Sequence, residues 1–265
     1  MYKRQVLKPI VLSKALDNKV LEVNDDINIP RRLTLNDKII VDSKNYEKLS
    51  PKEIIAFSSQ IGASKIALEL GYEELKKNYY NFGFTKPISI NFPSSAFGYM
   101  NIKESVNDKE LASLGYGYGI TISPFQIASA YSVFANEGIL KDFKLLKNQE
   151  VTSKQIISSD TANHILDALR MVVKDGTGKA ANINGFSAGG KTGTVHQIKR
   201  GSGYAEDSYR ASFIGIAPLN TKSLTIFVSI DEPGLNSYSG GTVAAPVFAK
   251  VAESSLNYLG YFQDE

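Results

Sequence analysis

The sequence predicts an α+β fold, an antiparallel sheet flanked by helices. Three observations carry that expectation. Two capping signatures, Ser50-Pro51-Lys52-Glu53 and Ser123-Pro124-Phe125-Gln126, open helices in the first half of the chain. Three strand-like runs then follow between residues 186 and 231, joined by short loops that impose antiparallel pairing. A final helical stretch, Ala244 to Leu259, closes the chain, so helices can pack on the sheet.

Residues 6–17 read as a helix, with Val6, Ile10, Val11 and Leu16 apolar. Residues 19–42 alternate loosely and suggest short strands or extended loops. At residue 50 a hydroxyl can accept the N3 amide, Pro51 suits the first helical position, and Glu53 can reach back. Apolar residues continue from Ile54 to Leu68, but the polar run Ser58-Ser59-Gln60 interrupts them. Gly71 and Gly83 bracket a further helix, Glu73 to Phe82. Residues 84–106 carry Pro87 and Pro93 and read as irregular, and Gly115 to Gly119 reads as an aromatic loop. The helix opened at Ser123 runs to about Asn136. Residues 139–146 suggest a strand, and Asp160 to Val173 a helix ended by Asp175-Gly176. Residues 186–197, 208–217 and 223–231 are the three sheet strands.

Composition narrows the chemistry. The 265 residues fit one large domain or two small ones. The net charge is +3, with lysines and arginines dispersed, which argues against a nucleic-acid partner. With no cysteine, disulfides and thiolate metal sites are excluded, and two histidines, His164 and His196, cannot build a histidine-rich metal centre. No run of about 18 apolar residues is present to span a bilayer. Residues 1–5, Met1 to Gln5, lead abruptly into Val6 and are expected to be a non-native start, with the domain from 6 to 265 incomplete at its N-terminus.

The chemistry-bearing stretch is Gly189-Gly190-Lys191-Thr192-Gly193-Thr194, and three readings compete for it. Gly185 to Thr192 satisfies the phosphate-binding pattern G-x-x-x-x-G-K-[ST], and Asp231 at a strand end could hold magnesium. That mechanism needs a helix leaving the loop. Thr194-Val195-His196 favours strand instead. Gly185 to Gly189 matches G-x-S-x-G around Ser187, but no acid separates it from His196, the histidine that follows. In the third reading, Lys191-Thr192-Gly193 lies on an edge strand facing a serine-lysine site. There lysine and hydroxyls anchor a carboxylate, and glycine admits a peptide close to the backbone.

The third reading is supported by a resemblance. Five ordered segments resemble the transpeptidase domain of class B penicillin-binding proteins, particularly the septal, division-specific type. They are Ser58 to Gly62, Tyr116 to Gln126, Ala188 to Thr194, Tyr209 to Gly215 and Gly241 to Phe248. The resemblance implies the penicillin-binding transpeptidase and serine β-lactamase-like fold. It also implies a membrane-anchored protein with this domain outside the cytoplasmic membrane. The implied activity is a D,D-transpeptidase that cross-links peptidoglycan by serine acyl transfer. Its implied partners are peptidoglycan stem peptides, β-lactam antibiotics and the division or elongation proteins of the envelope, with no cofactor and no metal.

The resemblance also implies residue roles. Lys8 would be the base, Ser58 a proton relay and Gln60 a binder of the substrate amide. Lys191, Thr192 and Thr194 would hold the substrate carboxylate along Gly193, and the Thr194 N–H would serve an oxyanion hole. Two departures stand out. The implied S-x-x-K-P motif falls on Gln5-Val6-Leu7-Lys8-Pro9, so Gln5 takes the place of the nucleophilic serine. No serine in the chain has a lysine three residues on. Gln60 stands where the family has asparagine, one methylene longer. A non-catalytic wall-binding or scaffold protein is the alternative that Gln5 keeps open, and a P-loop nucleotide-binding protein is a distant one.

Overall fold

The helix expected at the start of the chain forms as α1, Lys8–Asp17, and it is buried almost all round: Lys8, Pro9, Ile10, Val11, Leu12, Ser13 and Ala15 are buried, as are Val6 and Leu7 just before it. Such a helix forms the centre of a core. It is seen in a computed structural model that describes residues 6–87, 98–199, 203–234 and 237–261, without the side chains of 197–199 and 203–207. Gln5, with the expected non-native start, lies outside the described residues.

Around α1 stand α2 (Pro51–Ala56), α3 (Gln60–Leu70), α4 (Tyr72–Asn81), α5 (Asp108–Gly115), α6 (Pro124–Ala135) and α7 (Ser159–Lys174). Both expected capping boxes are made. Ser50 accepts from Glu53 N and Ser123 from Gln126 N, and each partner side chain reaches back to the cap's amide. Helix α5 was not expected from the sequence. Its start, Asn107 with Glu110, is a capping box of the same kind with asparagine in the hydroxyl's place. Two-stranded ribbons decorate this bundle: β1 (Ile27–Asn28) with β4 (Lys48–Leu49), β2 (Leu33–Leu35) with β3 (Lys38–Ile40), β5 (Tyr99–Met100) with β6 (Ile120–Thr121), and β7 (Ile139–Lys141) with β8 (Ser153–Gln155).

The three expected strands form one antiparallel sheet in the order β11-β10-β9. They are β9 (Gly189–Lys199), β10 (Gly203–Ala217) and β11 (Leu224–Asp231). Strand β10 is central and alternates faces with the period of two that a pleated strand imposes. Ile214 and Ile216 enter the main core with α1, α6 and α7. Phe213 and Ala217 enter a second cluster with Phe248, Ala252 and Leu256 of α8 (Ala245–Tyr258). The rings of Phe213 and Phe248 meet at 5.0 Å. The sheet is thus held between α8 and the helical bundle, and β9 lies at its edge, next to the start of α1. Among the described residues no helix is long and apolar enough to cross a membrane.

Candidate active site

Ser58 sits at the joint between α2 and α3, and the local sequence explains its unusual backbone. Helix α2 ends in a Schellman turn, in which Ser59 N bonds Ile54 O at 3.0 Å and Ser58 N bonds Ile55 O at 3.3 Å. The residue at the crossing takes positive φ, a place normally held by glycine. Here it is Ser58, with φ 60°. A side chain in this region costs on the order of 1 kcal/mol or more, and such strain collects at functional sites. Ser59 then caps α3, accepting from Gly62 N at 2.8 Å. Gly62 is needed because a Cβ there would lie 2.6 Å from the Ile54 side chain.

The turn aims the Ser58 hydroxyl between two lysines. Lys8 Nζ, from the first turn of α1, donates to Ser58 Oγ at 3.0 Å and also to the Ser58 carbonyl. Lys191 Nζ, from β9, donates to the same Oγ at 2.9 Å. A hydroxyl has two acceptor lone pairs, so it can receive both and still hold one proton to give. Lys8 is 1 % exposed and Lys191 0 %. Among the described residues neither forms an ion pair. Burial therefore lowers both. Lys8 falls from its ordinary 10.5 to about 7, partly opposed by the negative charge of Asp42. Lys191 is pushed well below its ordinary value by burial and by the neighbouring Lys8. A buried amine that is neutral near pH 7 can take a proton, and Ser58 can pass one between the two amines and whatever enters the site.

Asp42 is the functional residue that the sequence reading missed. Its carboxylate accepts from Ser59 Oγ, from Gln60 N and from Ile61 N at 3.2 Å, so it caps the N-terminus of α3 and braces the turn that holds Ser58. Gln60 occupies the first position of α3 with a half-buried side chain. The local signal for Asp42 was faint, since it acts from a loop 18 residues before Gln60.

The other wall is β9. Gly193 faces both Ser212 and Val6: a Cβ there would come 2.7 Å from Ser212 Oγ and 3.2 Å from Val6 Cγ1. Thr194 is half-buried, and its Oγ1 accepts from Gly240 N at 3.0 Å, which leaves its O–H to donate. The π-helical turn Gly240–Ala244 comes this close because Gly240 has no Cβ; one would meet Ser212 O at 2.2 Å. Thr192 is buried, its Oγ1 3.0 Å from Thr177 Oγ1 and 3.4 Å from Lys191 Nζ. The structure thus brings together Lys8, Ser58 and Lys191, with Thr192 bonded to Lys191. Gly193 and Thr194 continue β9 beyond them, and Gln60 lies at the start of α3.

The competing readings of this stretch fail on geometry. A P-loop requires a helix after Thr192, but β9 continues as strand to Lys199. The acid proposed for magnesium, Asp231, is bound by Arg210, with Nη2 at 2.7 Å. Ser187 is no exposed nucleophile elbow, because its Oγ accepts from Leu219 N at 3.0 Å.

Comparison with known proteins agrees with the family read from the sequence. The profile of the penicillin binding protein transpeptidase domain matches residues 6–253. The probable peptidoglycan D,D-transpeptidase PbpC of Pseudomonas aeruginosa is 34 % identical over 257 residues, covering 96 % of this chain and 45 % of that protein. PenA of Neisseria gonorrhoeae, also a probable peptidoglycan D,D-transpeptidase, is 32 % identical over 256 residues, covering 96 % and 44 %. The apo structure of the transpeptidase domain of penicillin-binding protein 3 from Burkholderia pseudomallei superposes with a TM-score of 0.92 at 32 % identity, covering 100 % of this chain and 81 % of that one. The chain spans about half the length of these curated relatives.

Proposed function

Because the chain belongs to the penicillin-binding protein transpeptidase domain family, we propose that it is the acyl-transfer domain of a peptidoglycan D,D-transpeptidase. A serine at position 5 would attack the penultimate D-Ala carbonyl of a stem peptide. Lys8 takes the serine's proton, and Ser58 relays a proton to the departing amine. The C–N bond breaks, D-Ala leaves, and an acceptor amine from a second stem displaces the serine from the acyl-enzyme. Gln60 binds the substrate amide. Lys191, Thr192 and Thr194 hold its terminal carboxylate along Gly193, and the Thr194 N–H faces the developing oxyanion. β-Lactams, whose ring carbonyl offers the same chemistry, acylate the same position. The parent protein works on the outer face of the cytoplasmic membrane with division or elongation partners. The observation that carries this reading is the Ser58 hydroxyl held at 3.0 Å and 2.9 Å by two buried lysines.

The sequence itself carries Gln5, and an amide cannot serve as the nucleophile. That favours a second reading for this chain, a non-catalytic wall-binding or scaffold protein. Labelling with a fluorescent penicillin separates the two. The chain as given takes no covalent label, and Gln5→Ser with a family-like segment ahead of it becomes labelled at residue 5. If the serine variant folds but stays unlabelled, the transpeptidase reading is wrong.

A further inference from the structure

The turn leading into α1 leaves a carbonyl without a backbone partner among the described residues. Ile10 N donates to Leu7 O at 2.9 Å, and Val11 N to the same carbonyl at 3.2 Å. The amide that a regular helix would turn toward Val6 O is thus used one residue later. Val6 is fully buried, and a buried carbonyl left unpaired is destabilising. Its partner is a side chain from far along the chain: the Tyr131 phenol of α6 donates to Val6 O at 2.6 Å. One turn further on, Asn78 of α4 donates to Ile10 O at 2.7 Å. At the other end of α1, Asp17 accepts from Ser158 N at 2.8 Å. The acyl-transfer chemistry uses none of these three groups.

Val6 is also where α1 meets β9, across Gly193, and Lys8 follows two residues later. We propose that Tyr131 is a positioning residue of the acyl-transfer site: by holding the Val6 carbonyl, its phenol fixes the entry into α1 and with it the place of Lys8 between Ser58 and Lys191. The role in acyl transfer rests on the proposed function; the positioning of Lys8 does not. Without the phenol, Val6 O would draw the Ile10 amide back into a regular helical bond. The first turn would rewind, carrying Lys8 out of its buried position.

The test reads Lys8 directly, in the chain as it is. The Lys8 ¹³Cε–¹Hε signal, assigned by its loss in Lys8→Arg, is followed by NMR through a pH titration. The charged and titratable groups around Lys8 are Lys191 on β9, Asp42 ahead of α3 and the Ser58 hydroxyl, and Tyr131→Phe alters none of them. In Tyr131→Phe the Lys8 midpoint moves up by about one pH unit as the amine gains water. Leu256→Ala, a destabilising change in the second cluster, leaves it in place. In the Gln5→Ser background, Tyr131→Phe slows penicillin acylation on the order of tenfold and moves the acidic limb of its pH profile upward. An unshifted Lys8 midpoint in Tyr131→Phe overturns the positioning role whatever the acylation arm shows. A shifted midpoint with no acylation of Gln5→Ser leaves the positioning intact and removes the transpeptidase reading instead.

Discussion

Replacing Lys8 with methionine should make the protein more stable near neutral pH and flatten the dependence of its stability on pH. In the unfolded chain a lysine holds its proton up to about 10.5, whereas folded Lys8 releases it near 7. Between those values the unfolded state binds more protons, so stability rises with pH. At pH 7 folded Lys8 is half charged, and by pH 9 it is almost wholly neutral. Each pH unit in which the unfolded state holds one extra proton contributes about 1.4 kcal/mol, so the gain from pH 7 to 9 is about 2 kcal/mol. For a domain of this size that is on the order of 6 °C in Tm. Lys191 is shifted in the same direction and steepens the slope. Tyr79 and Tyr131 are held above their ordinary value of 10 by burial, so they reduce stability only at higher pH and leave this window clear. Urea unfolding at pH 7, 8 and 9 measures the slope. Lys8→Met should reduce it without abolishing it, because Lys191 remains, and should raise stability most at pH 7. An unsubstituted chain whose stability is flat or falls between pH 7 and 9 would refute the claim that these lysines are buried without an ion-pair partner.

Three further outcomes follow from the same geometry. Asp42→Asn keeps the shape but removes the charge that three donors share at the start of α3, and it should cost about 2 kcal/mol in urea unfolding; a change under about 0.5 kcal/mol would show the cap to be dispensable. Gly240→Ala places a Cβ 2.2 Å from Ser212 O and 2.6 Å from Gly193 O, both backbone atoms that cannot swing away. Penicillin labelling of Gln5→Ser should fall at least tenfold with it, or roughly 1.4 kcal/mol of barrier, and an unchanged labelling rate would disprove the close packing of this turn on β9. Phe213→Ala, which empties the contact with Phe248, should lower stability by about 3–5 kcal/mol in the same urea assay.

Local chemistry was legible where the partner lies within a few residues. The boxes at Ser50 and Ser123 were read because a hydroxyl and a glutamate or glutamine three positions later satisfy each other without help from the fold. The strands were read because β-branched and aromatic residues cluster there, and β10 alternates between two cores as the pleat requires. The Asn107 box that opens α5 carries the same signal but stands among irregular neighbours. What the sequence could not display is convergence. Apart from its register with Pro9-Ile10, nothing local to Lys8 distinguishes it from a solvated helix lysine; it is special because Ser58 and Lys191 arrive from elsewhere. Nothing in Ser58-Ser59-Gln60 announces that the first serine takes the glycine place of a Schellman turn, since that depends on where α3 must point. Asp42 and Tyr131 act on the site from loop and helix positions with no pattern of their own.

The two lysines also constrain each other. Both donate to one oxygen, so their nitrogens lie within about 6 Å. Two full charges at that separation repel by about 3 kcal/mol at an effective dielectric near 20, on top of the cost of burying each. Two charges are therefore disfavoured here at neutral pH, and one amine is left neutral and able to act as a base. The fold sustains this by supplying hydrogen bonds in place of counter-ions: the Ser58 hydroxyl and carbonyl for Lys8, and the Ser58 hydroxyl with the Thr192 carbonyl for Lys191. A carboxylate brought to β9 reverses the balance, because a negative charge beside Lys191 favours its protonated form. Under the proposed function, the charge that anchors the substrate carboxylate at Lys191 also disfavours a charge on Lys8.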